Sequence, residues 1–342
     1  LLYSTDTLDQ ERGALVQMTM EKKSEMANKL VFFDLEWLEL TDEKAREYYE
    51  HPALAKFKHF LEARRRLKPY KLSEKEEQLL EAMSNTGRKA FVRLWDETLG
   101  ALEVKVVVKG EEKTMLLEHA LSLLFDSSRE TRKAAAEGVT NVLKGNKKLL
   151  TFIFNTLVQD HATTGKFRNY PSPMEPMNIK NEVDQKTVDA LMEACEKNVE
   201  MVARYYRLKA RLLGLDRLYD YDRYCPLPGE TPSTTYNESK EKVLEAYNAF
   251  SPEMAGIVKK FFEGNWIDAQ VKKGKKGGAF SADTVTTSHP YILLNFTDNL
   301  RDMMTMAHEL GHGIHQYLSR SVGYLQMDTP LVTAETASVL GE

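Results

Sequence analysis

The sequence predicts a mainly α-helical protein with a small β-sheet, and three observations predict it. Helix-opening signals recur along the whole chain. The segments they open are rich in Leu, Ala, Glu and Lys, with apolar residues at helical spacing. Strand signals are confined to two short regions.

Taken in chain order, Thr41 followed by Asp42 and Glu43 reads as an N-cap with acids in the first turn. Ser73 with Glu76, and Ser127 with Glu130, read as capping boxes. Between them, Val104-Lys105-Val106-Val107-Val108, Gly110 and Thr114-Met115-Leu116 read as a hairpin. Residues 170–176 hold three prolines and read as a loop. It divides a helical region with the hairpin, 1–170, from a second, 171–342, that leads into a partial catalytic core. Val188, Leu191, Cys195, Val199 and Val202 form a long amphipathic stripe, read as packing. Thr235 with Glu238 opens a helix carrying Val243, Tyr247 and Phe250 on one face, and Ser251-Pro252 starts the next with proline at its first position. The second β region covers Gly277-Gly278-Ala279-Phe280-Ser281 and Tyr291-Ile292-Leu293-Leu294-Asn295-Phe296. No internal repeat or low-complexity tract is present.

Composition sets the class. With 342 residues, 42% of them hydrophobic, the chain can bury a sizeable core. A formal charge of −4 gives no basic field, so neither nucleic acid nor an anionic membrane is an expected partner. Arg64-Arg65-Arg66 and Lys272-Lys273-Gly274-Lys275-Lys276 read as solvated faces, and the latter lacks the Gly-Lys-Ser/Thr ending of a phosphate loop. Cys195 and Cys225 make no disulfide framework, which indicates a reducing, cytoplasmic setting. No run of about 18 apolar residues indicates a membrane helix. The first residues have neither Met nor a basic leader, and the last look helical, so both ends read as cuts within a larger fold. Nothing sets the oligomeric state.

The chemistry is concentrated in His308-Glu309-Leu310-Gly311-His312. On a helix the two histidines project within about 40° of each other, about 6 Å apart along the axis, so both can reach one ion. Glu309 lies on the neighbouring stripe and can face a water without ligating the metal. Apolar Met303, Met304, Met306 and Ala307 precede the motif, which predicts a buried helix. Gly311 and Gly313 each cost up to about 1 kcal/mol relative to alanine, so another backbone or a ligand is expected close by.

A catalytic zinc needs a third protein ligand and an open position. His315, Asp328, Glu335 and Glu342 are the candidates. His315 is about 10 Å along the axis from His308, too far for one ion to take all three histidines. The metzincin spacing fails, since position 318 is leucine. Glu335 is favoured because Ala334, Thr336, Ala337 and Ser338 around it let two helices approach. Glu342, two turns on, falls on the same face as a second carboxylate near the site or an ordinary helix acid. The competing class is a non-enzymatic helical protein with a structural zinc, which would show four protein ligands.

Gly277-Gly278-Ala279-Phe280-Ser281, His289-Pro290-Tyr291-Ile292-Leu293-Leu294-Asn295-Phe296, Met306 to His312 and Ala334-Glu335-Thr336-Ala337-Ser338 together resemble oligoendopeptidase F, a family related to thimet oligopeptidase. Tyr221-Asp222-Arg223-Tyr224-Cys225-Pro226-Leu227 and Leu72-Ser73-Glu74-Lys75-Glu76-Glu77 fit the same pattern. The resemblance implies a helical, bowl-shaped metallopeptidase with a deep channel and a small sheet at its edge. It implies one zinc held by His308, His312 and Glu335, with Glu309 as general base, and short peptides as substrates. Gly278, Ala279 and Phe280 would lie beside the substrate backbone. Family members continue past the position of Glu342, where a His and Tyr pair supports the oxyanion. The resemblance therefore implies that this chain alone is inactive or feeble.

Overall fold

The computed structural model describes residues 1–228 and 233–342. The first helices are α1 (Gln10–Glu39), α2 (Asp42–Tyr49), α3 (Lys58–Arg65), α4 (Glu74–Ser84) and α5 (Arg88–Gly100). Their caps follow the sequence signals: Thr41 accepts from the Lys44 amide, and Ser73 and Glu76 form a reciprocal box. Strands β1 (Glu103–Val108) and β2 (Glu111–Leu116) pair antiparallel, with Val108 opposite Glu111. The two-residue turn places Lys109 at φ 52° and Gly110 at φ 83°, the left-handed pair that matches strand twist.

Next come α6 (Leu117–Ser122), α7 (Arg129–Gly145), α8 (Lys147–Phe167), α9 (Glu175–Asn181) and α10 (Gln185–Leu212). Here three expectations need correction. The cap of α7 is Ser128, which accepts from the Thr131 amide, and not Ser127 with Glu130. The Arg132 guanidinium takes the Ser127 carbonyl at 2.9 Å, while Asp126 Oδ1 accepts from the Ser128 amide at 2.7 Å, so the chain turns one residue later. The α10 stripe is not packed either: Leu191, Cys195, Val199 and Val202 are exposed. The only buried residue of α10 is Lys209, whose ammonium donates to the Arg223 carbonyl. The proline loop is shorter than expected, since Pro176 is already the second residue of α9.

The last third holds α11 (Tyr236–Phe250), α12 (Pro252–Glu263), β3 (Ile267–Gln270), β4 (Phe280–Ala282), β5 (Tyr291–Phe296), α13 (Leu300–Ser319) and α14 (Leu331–Gly341). The strand order is β3-β5-β4, parallel then antiparallel, which leaves β4 at an edge. Strand β3 had no sequence signal, because Ile267-Asp268-Ala269-Gln270 does not alternate cleanly. Gly277 to Ala279 lead into β4 rather than belonging to it, with Gly278 at φ 74°. The main core lies beneath α13: Met306, Leu310 and Ile314 meet Ile292 and Leu294 of β5, Val243 and Tyr247 of α11, and Val258 and Phe261 of α12. Burying each large apolar side chain contributes about 1.5–3 kcal/mol, and this is the largest buried apolar cluster among the described residues.

The basic clusters are spoken for. Arg64, Arg65 and Arg66 pair with Asp34, Asp42 and Glu182. Lys273 and Lys276 pair with Glu103 and Asp96, and the buried Lys275 donates to Asp268 and to the Gln270 carbonyl. Asp222 is fully buried between the guanidinium groups of Arg129 and Arg132, which explains the acid in the Tyr221-Asp222-Arg223 segment as a structural tie. Among the described residues, no helix is long and apolar enough to cross a membrane.

Candidate metal centre

Helix α13 begins with a reciprocal cap, Asn299 accepting from the Asp302 amide and Asp302 accepting from that of Asn299. It then runs into the core, burying Met306, Ala307, Glu309, Leu310, Gly311, Gly313 and Ile314 and leaving His308 and His312 half-buried on the upper face. Their imidazole centroids are 4.9 Å apart, with the rings nearly perpendicular. Helix α14 crosses directly over Gly311. A Cβ there would lie 2.3 Å from the Ala337 carbonyl oxygen and 2.8 Å from Ser338 Cα. The glycine is thus a seat for a second backbone. A Cβ at Gly313 would meet the Phe261 ring at 2.7 Å.

That seat delivers Glu335. Its Oε2 is 3.2 Å from His308 Nε2 and 3.5 Å from His312 Nε2, and the Ser338 hydroxyl donates to the same oxygen at 2.7 Å. One ligand atom from each of His308, His312 and Glu335 lies within 4.8 Å of the other two. Among the described residues no other His, Cys, Asp or Glu joins this group, so His315 and Asp328 stand outside it. Glu342 approaches from the other side, its Oε1 3.3 Å from His308 Nδ1.

Glu309 sits just below, 6% exposed. Burial, reinforced by the charge of Glu335, pushes its carboxyl up to about 7, against the opposing pull of the Ser281 backbone. Burial also lowers the His312 imidazole, although Glu335 and the Ala334 backbone favour its charged form. Low proton affinity suits a ligand, since a metal takes the neutral ring. Among the described residues, only His308 Nδ1 and Glu309 Oε2 are buried side-chain polar atoms without a hydrogen-bond partner.

The residues expected beside a substrate lie at the sheet edge. Phe280 pairs with Leu293 in β4. Gly278 has both backbone groups engaged within the protein, its amide donating to Glu118 and its carbonyl accepting from Asn295. Gly278 and Ala279 line a cleft of about 320 Å³ that also touches Arg301 and Thr305 of α13. Sequence reasoning missed the fastening of this strand to the motif helix. The Ser281 hydroxyl donates to Gln316 Oε1 at 2.7 Å, and Gln316 Nε2 donates back to the Ser281 carbonyl at 3.2 Å. Gln316 is one turn beyond His312, and that spacing was the available signal. Tyr247 was placed on a core face, but its hydroxyl also donates to the Ala307 carbonyl at 2.8 Å, next to His308.

Comparison with known proteins bears on the family and the fold. The family model described as Peptidase family M3 matches residues 122–342, and that described as Oligopeptidase F matches 36–103. Oligopeptidase PepF of Bacillus subtilis is 27% identical over 99% of this chain and 52% of its own length. An oligoendopeptidase F homolog of Lactococcus lactis is 30% identical over 91% of this chain and 52% of its own. The solved structure of PZ peptidase A with an inhibitor superposes with a TM-score of 0.81 at 19% identity, covering 99% of this chain and 59% of that one, which supports the fold. The chain thus spans about half the length of the curated relatives it matches. With one family model covering 221 of its 342 residues, counted from 122 to 342, the chain belongs to peptidase family M3.

Proposed function

We propose that this chain carries the zinc-binding and general-base portion of a metalloendopeptidase that hydrolyses internal bonds of short peptides. The observation that carries this reading is the convergence of His308, His312 and Glu335 above the buried carboxyl of Glu309. Two imidazoles and a carboxylate suit one zinc ion with a position left for water. A structural zinc would want a fourth protein ligand, and the described residues provide none. Zinc bound here would supply Lewis acidity, drawing the pKa of water towards neutrality and polarising a carbonyl.

The chain's own residues do the rest. Glu309 accepts the proton of the attacking water and passes it to the departing amine. Edge strand β4 offers backbone groups along which an extended peptide can lie, with Phe280 beside it and Ala279 and Gly278 leading into the cleft. The unpaired cysteines fit a cytoplasmic setting.

Elemental analysis and turnover of a quenched fluorescent peptide test the reading. One zinc per chain is expected, with binding lost in His308→Ala and weakened in Glu335→Ala. Unchanged affinity in Glu335→Ala would remove Glu335 from the ligand set. Hydrolysis by these residues alone is expected to be feeble beside that of a family-length enzyme. Full-strength turnover would show that no further oxyanion donors are needed.

A further inference from the structure

We propose that Glu342 is a positioning residue for the metal centre: its carboxylate accepts the Nδ1 proton of His308 and holds the ring in the tautomer that leaves Nε2 to the ion. This rests on the assignment of His308, His312 and Glu335 as ligands.

A neutral imidazole has one N–H and one free lone pair. His308 Nε2 is the atom that faces Glu335 and the shared site. When Nε2 is the ligand atom, the proton must sit on Nδ1. That nitrogen is buried and has no hydrogen bond. A buried donor left unsatisfied is costly, so an acceptor has to be within reach. Glu342 Oε1 is 3.3 Å away, a charge-pairing distance that lacks hydrogen-bond alignment, on a side chain 43% exposed. Ligand histidines commonly donate their other N–H to such a carboxylate or carbonyl, which fixes ring orientation and raises basicity.

The local backbone is shaped to bring Glu342 there. A Cβ on Gly341 would lie 2.2 Å from the Tyr247 hydroxyl and 2.6 Å from the Ala307 carbonyl oxygen. The end of α14 therefore rests on the carbonyl just before His308, a carbonyl that Tyr247 also fixes. Glu335 and Glu342 are seven residues apart, about two turns, so one helix face presents one carboxylate to Nε2 and the other to Nδ1.

The test is zinc affinity, measured by competition with a chromophoric chelator for the wild-type chain, Glu342→Ala and Glu342→Gln. Each is also melted in excess chelator. Glu342→Ala is expected to bind zinc about 10–100-fold more weakly. Glu342→Gln should lose less, because its amide oxygen still accepts from Nδ1 but carries no charge. The melting points without metal should coincide. Affinity of Glu342→Ala within twofold of wild type overturns the proposal, as does a matching fall in its metal-free melting point, which would make the role structural. If instead the wild-type chain takes up no zinc, or His308→Ala leaves uptake unchanged, the ligand assignment itself falls.

Discussion

Gly311→Ala sets two effects of known size against each other. In an open helix the change is favourable by up to about 1 kcal/mol, because alanine is the better helix former. At Gly311 the new Cβ would sit 2.3 Å from a backbone oxygen of α14, where ordinary contact begins at 3.4 Å. The difference, 3.4 − 2.3, is a little over 1 Å, and the atoms in the way are main chain, which cannot swing aside. Overpacking of this kind costs about 1–3 kcal/mol, so it outweighs propensity. The displacement matters more than the energy. Metal–ligand distances tolerate about 0.2 Å, and α14 carries Glu335. Gly311→Ala is therefore expected to lower stability by about 1–2 kcal/mol in urea unfolding and to weaken zinc binding at least tenfold. Gly256→Ala is the control: it lies within α12 with nothing inside 4 Å of its Cβ, and should be neutral or stabilising by up to about 1 kcal/mol. A Gly311→Ala chain as stable as wild type with unchanged zinc affinity would refute the helix-seat argument.

Three further outcomes are expected. Glu309→Gln should abolish hydrolysis in a family-length enzyme while zinc stoichiometry stays near wild type; loss of zinc would make Glu309 a ligand. In chelator, the folded chain holds the Glu309 proton more tightly than the unfolded one, so the contribution of Glu309 to stability is full below pH 4.5 and is lost as pH rises towards about 7, by at most about 3 kcal/mol. Glu309→Gln should remove that slope in urea unfolding from pH 5 to 8, and an unchanged slope would assign it to other groups. Gln316→Ala deletes both bonds to Ser281 and should cost about 1–2 kcal/mol and speed exchange of the β4 amides; exchange equal to wild type would mean that β4 is held by β5 alone.

The parts legible in the sequence are those governed by local rules. The Thr41, Ser73, Thr235 and Ser251 caps are visible because a side chain and an amide two or three residues on decide them. The α7 cap was misplaced by one residue because a buried guanidinium from the next turn chose between two adjacent serines. The His308 to His312 pairing follows from helical period alone, and small residues around Glu335 signalled the approach of α14. What spacing could not give is the crossing itself. That Gly311 touches Ala337, that Gly341 sits on Ala307, and that Ser281 is fastened to Gln316 all depend on contacts between distant segments. The α10 stripe shows the opposite failure: a periodic apolar face states what could be buried, not what covers it.

Holding an ion and cleaving a peptide make different demands on this chain. The three proposed ligands come from α13 and α14, and the core beneath α13 is built from α11, α12 and β5. Zinc affinity is therefore expected of these residues by themselves. Their unpaired buried atoms point the same way. Both lie in consecutive residues of one helical turn, one at the back of a histidine ligand and one on the proposed base. Leaving such atoms without partners costs about 1–3 kcal/mol each, a penalty that persists where an incoming group meets the need. For His308 the proposed group is the Glu342 carboxylate, and for Glu309 it is the water that the proposed mechanism has it deprotonate. Catalysis asks for more, since donors to the developing oxyanion are each worth about 3–4 kcal/mol. Metal affinity and turnover should for this reason respond to different residues: changes at Gly311, Glu335 and Glu342 should move the first, and lengthening the chain to family size should move the second.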